Sequence, residues 1–308
     1  MAAPPHLDAG RIYRLAPFDE VVTELRRTFA SGPPVIPRQC VALGTGRGDL
    51  LVMPAVAGST AGVKAVTVRA NGNHPAVQGL YVLFGAEGAA VATLDGTALT
   101  ARRTPAVSAL ATDALARHDV RRLAVFGTGV QAREHVRAMR WVRPSLEQVE
   151  IVGREPAATE RFVALLRGEG HPAVAASPAE ASSADLICTC TSSSEPVLID
   201  GAVKPGTHIN AVGSDQPDRR EVDDQLMGRA RVVVDGWEAA RTSGDVLLAV
   251  AAGAMSWEDV TGDLVALARG SVRRETPDEV TVFVSVGLAV EDLVVATLAA
   301  RNAGFIPG

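Results

Sequence analysis

The chain has 308 residues, 47% of them apolar and 21% charged, with a net charge of −5. That is enough apolar material for two domains with sizeable cores, and it excludes a disordered chain. The acidic balance argues against nucleic acid as a partner. The three cysteines, Cys40, Cys188 and Cys190, make no disulfide framework. Cys188-Thr189-Cys190 lacks a second ligand cluster, so both are read as strand residues and no metal is predicted.

In chain order, the first segment (Met1-Ala2-Ala3-Pro4-Pro5) has neither the basic region nor the apolar core of an export signal. The predicted location is therefore cytoplasmic. Residues 11–30 carry Val21, Val22, Leu25 and Phe29 at helical spacing, and Ser31-Gly32-Pro33-Pro34 stops the helix. From Val35 to Leu94 the pattern becomes β-rich, with short apolar runs (41–43, 50–53, 63–68, 80–84, 89–94) separated by glycine turns. This predicts an antiparallel meander. An alanine-rich helix is predicted over 99–115.

From Val120 the pattern alternates strand with helix. Strands are predicted at 123–126, 149–152, 173–175, 186–189, 208–212, 232–234 and 280–284, and helices at 131–141 and 157–167. This is the signature of a doubly wound α/β sheet. A last helix over 286–301 closes the chain. Glu291 and Asp292 interrupt its apolar run, so no membrane span is predicted.

Within that alternation, Leu123-Ala124-Val125-Phe126 runs into Gly127-Thr128-Gly129-Val130-Gln131-Ala132. A strand followed by Gly-x-Gly at a helix start is a dinucleotide-binding turn. Gly127 allows the tight turn, Gly129 admits a pyrophosphate to the backbone, and Ala132 allows close helix–strand packing. The helix N-terminus offers N–H groups to the phosphates.

The tip of the next strand, Glu150-Ile151-Val152-Gly153-Arg154-Glu155, selects the cofactor. A carboxylate there would bind the ribose of NAD, whereas Arg154 can pair with a 2′-phosphate. NADPH is therefore predicted over NADH. The opposing reading is a solvent-facing Arg154 with Glu155 binding NAD.

Two further features carry charge into apolar surroundings. Lys64 lies inside Ala61-Gly62-Val63-Lys64-Ala65-Val66. A buried lysine needs an anion, whereas an edge-strand lysine reaches water. Of the neighbours Arg102 and Arg103, one must point elsewhere. Finally, Ile209-Asn210-Ala211-Val212-Gly213-Ser214-Asp215 ends a strand at an acid. Such a position can serve proton transfer, or Asp215 can simply close a turn or cap a helix.

Along nearly its whole length the chain resembles the ornithine cyclodeaminase/μ-crystallin family. The landmarks are Lys64 with Asn71-Gly72-Asn73-His74-Pro75, Leu99 to Thr104 with Ser108-Ala109-Leu110, the Gly127–Ala132 turn, Asn210 to Asp215, and Thr281 to Gly287. The resemblance implies a Rossmann-type domain over 113–286 that binds NAD(P). It also implies an α+β substrate-binding and dimerisation domain over 1–112 and 287–308, to which the last helix returns. The meander, with apolar strands and no helices of its own to cover it, likewise predicts a homodimer.

The resemblance assigns roles residue by residue. Arg38, Lys64 and Arg103 would bind the substrate carboxylate, supplying the anion that a buried Lys64 needs, and Val286 would touch the substrate. Asp215 would handle the proton at the substrate nitrogen, with Lys64 as its catalytic companion. On the cofactor side the assignments are Gly127, Gly129, Val130 and Gln131 at the pyrophosphate, Thr191, Ala211 and Val212 along the nicotinamide half, and Arg154, Arg219 and Ser285.

Departures from the ornithine-cyclising pattern are Leu51-Val52 before Met53-Pro54, Gly153 at the second strand tip, and Leu80 where a threonine commonly contacts the cofactor. The implied activity is reduction of a C=N bond next to a carboxylate, acting on an imino or amino acid. The alternatives are an ornithine-type cyclodeaminase, or a protein that holds NADPH or a small ligand without turnover.

Overall fold

Two hydrophobic periods divide the chain, and each builds its own unit. The computed structural model describes residues 3–44, 48–68, 77–214 and 216–307. They form two compact units, Met1–Ala106 with Leu288–Gly308, and Val107–Gly287.

The first unit opens with β1 (His6–Leu7), α1 (Ala9–Leu15) and α2 (Phe18–Ser31). The stripe Val21, Val22, Leu25 and Phe29 is the buried face of α2, as its spacing predicts. Then come β2 (Gln39–Ala42), β3 (Asp49–Ala57), β4 (Thr60–Val68), β5 (Val77–Phe84) and β6 (Ala90–Asp95). They pair antiparallel in sequence order, and β1 adds a parallel strand beside β6. The predicted meander is thus present.

Period-two alternation gives the sheet two different faces. Met53, Ala55, Lys64, Val66, Tyr81, Leu83, Ala92 and Leu94 are buried on one of them. The other carries Val41, Val56 and Leu80, exposed by 52%, 45% and 47%. The helix α3 (Gly96–Leu115) follows, and the division between the units falls within it.

The second unit is a parallel sheet. Its elements are β7 (Arg122–Phe126), α4 (Val130–Val142), β8 (Gln148–Val152), α5 (Pro156–Gly168), β9 (Ala173–Ala175), α6 (Pro178–Ala181), β10 (Leu186–Thr189), β11 (His208–Ala211), α7 (Asp224–Arg229), β12 (Arg231–Val234), α8 (Trp237–Ala240), α9 (Gly244–Ala251), β13 (Val260–Gly262), α10 (Leu264–Ala268) and β14 (Thr281–Val284). The strand order is β13-β12-β14-β11-β10-β7-β8-β9, and every pairing is parallel.

Strands covered on both faces read as near-continuous apolar runs. Leu123–Phe126, Leu186–Cys188 and Val232–Val234 fit that description and are fully or almost fully buried. The strand order reverses at β7, between β8 and β10, and ligands of open α/β sheets bind beyond the carboxyl ends at such a switch point. Sequence order and handed βαβ connections thus place the Gly127 turn at the crevice.

The chain ends in α11 (Ala289–Asn302), which packs on β3, β4 and α2 in the first unit. The meander therefore does have helical cover on the face that carries Lys64. This corrects the expectation of an uncovered sheet, and among the described residues only the opposite face is left open. Residues 289–300 of α11 are all buried, including Glu291 and Asp292. Among the described residues, no helix is long and apolar enough to cross a membrane.

Candidate active site

Lys64 sits mid-strand in β4, flanked by Met53 of β3 and Tyr81 of β5. It is not on an edge, and its side chain is 3% exposed. Its ammonium lies 2.7 Å from Asp292 Oδ2 and donates to Thr100 Oγ1 at 3.2 Å. Burial lowers the Lys64 pKa, and Asp292 opposes that shift.

Arg103 lies one turn beyond Thr100 on α3. Its Nη1 donates to Glu291 Oε2 at 2.8 Å, and its Nε stands 3.8 Å from Asp292 Oδ1. Two buried cations thus meet two buried carboxylates in the first turn of α11. Carboxylates there also face the positive end of the helix dipole. The buried Lys64 thus has an anion within its own chain, Asp292, where the resemblance looked to the substrate.

Arg102 is the arginine that points elsewhere. It donates to Ala16 O at 2.7 Å and Tyr13 O at 3.1 Å, and stacks 3.9 Å over the Phe18 ring. Arg38 precedes β2 by one residue. Gln39 pairs with Val52, so continuing that register by one sets Arg38 on the row of Met53, Lys64 and Tyr81.

In the second unit, Gly127 has φ +123°, and a side chain there would stand 2.6 Å from Cys190 O. Glycine is thus required where the ends of β7 and β10 nearly touch. Around Gly129 a side chain would meet nothing within 4 Å. No side chain caps the N-terminus of α4. An open glycine backbone beside an uncapped helix start fits a pyrophosphate. Val130, 60% exposed, begins that helix, and Ala132 is buried in it.

At the tip of β8, a side chain on Gly153 would lie 2.2 Å from Thr159 Oγ1 and 2.8 Å from Thr128 Cγ2. Thr159 is held there by its bond to Glu155 O at 2.9 Å. A carboxylate can stand at 153 only if Thr159 and Thr128 shift. Arg154 is exposed and has no hydrogen bond or ion pair among the described residues.

The neighbouring strand ends are bound by carboxylates. Glu221 accepts from Thr189 Oγ1 (2.7 Å), Thr191 N (2.6 Å), Thr191 Oγ1 (2.6 Å) and Gly213 N (2.7 Å). Burial, and then the nearby Asp245, push Glu221 up to about 7. Asp245 accepts from the N–H groups of Glu221 and Val222 at 2.7 and 2.9 Å, and from the Ser214 hydroxyl.

Asp235 Oδ2 accepts from Ser285 Oγ at 3.1 Å, Val286 N at 2.7 Å and Gly287 N at 2.6 Å. Among the described residues, no group of His, Cys, Asp or Glu could hold a metal.

The family model for the ornithine cyclodeaminase/mu-crystallin family matches residues 11–304. The chain belongs to this family. Rat ketimine reductase mu-crystallin is 39% identical over 284 residues, which cover 88% of this chain and 87% of that protein. The structure of Thermococcus litoralis Δ1-pyrroline-2-carboxylate reductase in complex with NADH and L-proline superposes with a TM-score of 0.92. It is 30% identical and covers 97% of each chain. An archaeal alanine dehydrogenase dimer with bound NAD gives 0.91 at 31% identity, covering 97% of this chain and 96% of that one.

For this ornithine cyclodeaminase/mu-crystallin chain, the predicted site residues fall into two groups. Lys64 and Arg103 meet in the first unit through shared carboxylates. Gly127, Gly129, Val130, Gln131, Arg154, Thr191, Ala211 and Val212 all lie at or just beyond strand ends of the second unit. Arg219, half-buried, follows β11. Ser285 and Val286 follow β14, and the Ser285 hydroxyl donates to Asp235. Cys188 is in β10, whereas Cys190 stands just past it.

Asp215 and the landmark Asn71–Pro75 lie outside the described residues. Sequence reasoning missed Glu221, Asp235 and the part played by Glu291 and Asp292. A signal existed for the last pair. Two adjacent acids on an otherwise apolar helix must find cations if that helix is buried.

Proposed function

We propose that the chain reduces a C=N bond next to a carboxylate, on an imino acid that is cyclic or formed from a keto acid and an amine. The carrying observation is the Lys64–Arg103 cluster. Its charges are balanced before any substrate arrives, Lys64 by Asp292 and Arg103 by Glu291. In this reading Lys64, Arg103 and Arg38 together hold the substrate carboxylate. A carboxylate fixed this way sets the orientation of the adjacent carbon. The dinucleotide held at Gly127, Gly129, Val130 and Gln131 supplies the hydride when bound. Asp215 keeps the imine nitrogen protonated, which makes its carbon electrophilic. Val286 borders the substrate, and Thr191, Ala211, Val212, Arg219 and Ser285 border the cofactor.

NADPH is the preferred cofactor in this reading, because Gly153 supplies no carboxylate and Arg154 stands exposed beside it. The open apolar face of the first unit's sheet supports a homodimer.

The test is reduced-cofactor oxidation with cyclic imino acids and keto-acid/amine pairs. Asp215→Asn should lower turnover by about 10²–10⁴-fold with cofactor affinity retained. Lys64→Ala should chiefly raise KM. Near wild-type turnover in Asp215→Asn refutes the proton role. Arg154→Ala should weaken NADPH by about 1.5–3 kcal/mol and leave NADH unchanged. Equal wild-type affinity for both cofactors refutes the preference.

A further inference from the structure

Glu221 lies between β11 and α7 and touches none of the residues assigned to substrate carboxylate or phosphate. Its two oxygens nevertheless gather four donors from two different strand ends. Oε1 takes both donors of Thr191, and Oε2 takes Thr189 Oγ1 and Gly213 N. Thr189 and Thr191 belong to the end of β10, and Gly213 to the end of β11. A second carboxylate continues the arrangement. Asp245 holds the backbone of Glu221 itself and the hydroxyl of Ser214, the residue that immediately precedes Asp215.

We propose that Glu221 is the positioning residue of the nicotinamide half-site, locking the ends of β10 and β11 to each other. The proposal rests on the reading that Thr191, Ala211 and Val212, at the ends of β10 and β11, border the nicotinamide, and it is independent of the imine reaction.

The chemistry of the side chain makes the role specific. Oε2 alone bridges the two strand ends, and Oε1 adds both donors of Thr191. An amide of the same shape offers one oxygen and one NH₂, so whichever way it turns, its NH₂ faces two of these donors. A buried donor facing donors weakens the lock. The phosphate-binding turn at Gly127–Gln131 is not held by Glu221 and is unaffected.

The experiment uses full-length Glu221→Gln and wild type. It compares affinity for the reduced dinucleotide that wild type binds more tightly with affinity for its nicotinamide-free portion (2′-phospho-ADP-ribose for NADPH, ADP-ribose for NADH). The expected result is a loss of about tenfold or more for the dinucleotide, with the nicotinamide-free portion bound within about twofold of wild type. Equal losses for both ligands, or no loss for either, overturn the proposal.

Thr189→Val removes one donor without altering the carboxylate, and should give a smaller loss in the same direction. It also carries the test if Glu221→Gln does not fold, with the same outcomes deciding. Absence of imine turnover in wild type would refute the proposed reaction while leaving this binding comparison intact.

Discussion

Lys64 Nζ and Asp292 Oδ2 face each other at 2.7 Å, the one from the middle of a strand and the other from the first turn of the last helix. Neither side chain is more than 3% exposed. Removing both charges from water is costly, so breaking the pair costs more than deleting it. Asp292→Asn should destabilise the chain by about 3–5 kcal/mol, and the double change Lys64→Met with Asp292→Leu by much less. Urea unfolding measures both. A single variant as stable as wild type would contradict the buried pairing.

Glu221 should leave a pH signature in stability. Its pKa is about 7 in the folded chain against 4.5 as the ordinary value. Between those values the folded state binds more protons than the unfolded state. Its contribution is therefore full below about pH 4.5 and is lost as pH rises through about 7. The difference in unfolding free energy between wild type and Glu221→Gln should fall by a few kcal/mol (roughly 1.4 per pKa unit) over that window. A difference that is flat between pH 4.5 and 7.5 would remove this assignment.

Position 153 should be intolerant on steric grounds. A Cβ there meets Thr159 Oγ1 at 2.2 Å and Thr128 Cγ2 at 2.8 Å. Gly153→Ala should cost about 1–3 kcal/mol by overpacking. Adding Thr159→Ala should recover part of that cost. Gly153→Asp should not create good NADH binding, since the new carboxylate must first displace Thr128 and Thr159. Thermal unfolding and NADH titration check these outcomes. A well-folded, NADH-selective Gly153→Asp would show that the tip of β8 rearranges freely.

The open sheet face should be an interface. Leu80 is 47% exposed on it, beside Ala65 of the neighbouring strand. Leu80→Asp should shift a dimer toward monomer at micromolar concentration, by sedimentation velocity, with little effect on monomer folding. A wild type that sediments as a monomer rejects the interface outright.

Much of this protein is legible in its residues. Continuous apolar runs separated by helical stripes require strands buried on both faces, hence the parallel sheet. The Gly127–Gly129 turn could stand only after a strand and before a helix, and it does. Strands 173–175 and 186–189 fall where their apolar runs begin and end. The short β1 and β13 and the helices α6 to α10 are not legible in that pattern. Segments of two to eight residues carry too little periodicity to distinguish themselves from turns.

The residues alone thus carry the order of the main strands and helices, the glycine turn between β7 and α4, and the family. The pairing of charges came only with the packed chain. Lys64 could have met water, a ligand or a carboxylate, and its neighbours in sequence are silent on which. Arg102 and Arg103 are adjacent and chemically identical, yet one stacks on Phe18 and the other meets Glu291. The helix that supplies Glu291 and Asp292 is buried from Ala289 to Ala300 and offers no polar face to predict from. A buried charge is satisfied by whichever element packs against it. That choice is made only when strand, α3 and α11 come together, because the free energy of the pair belongs to no one segment.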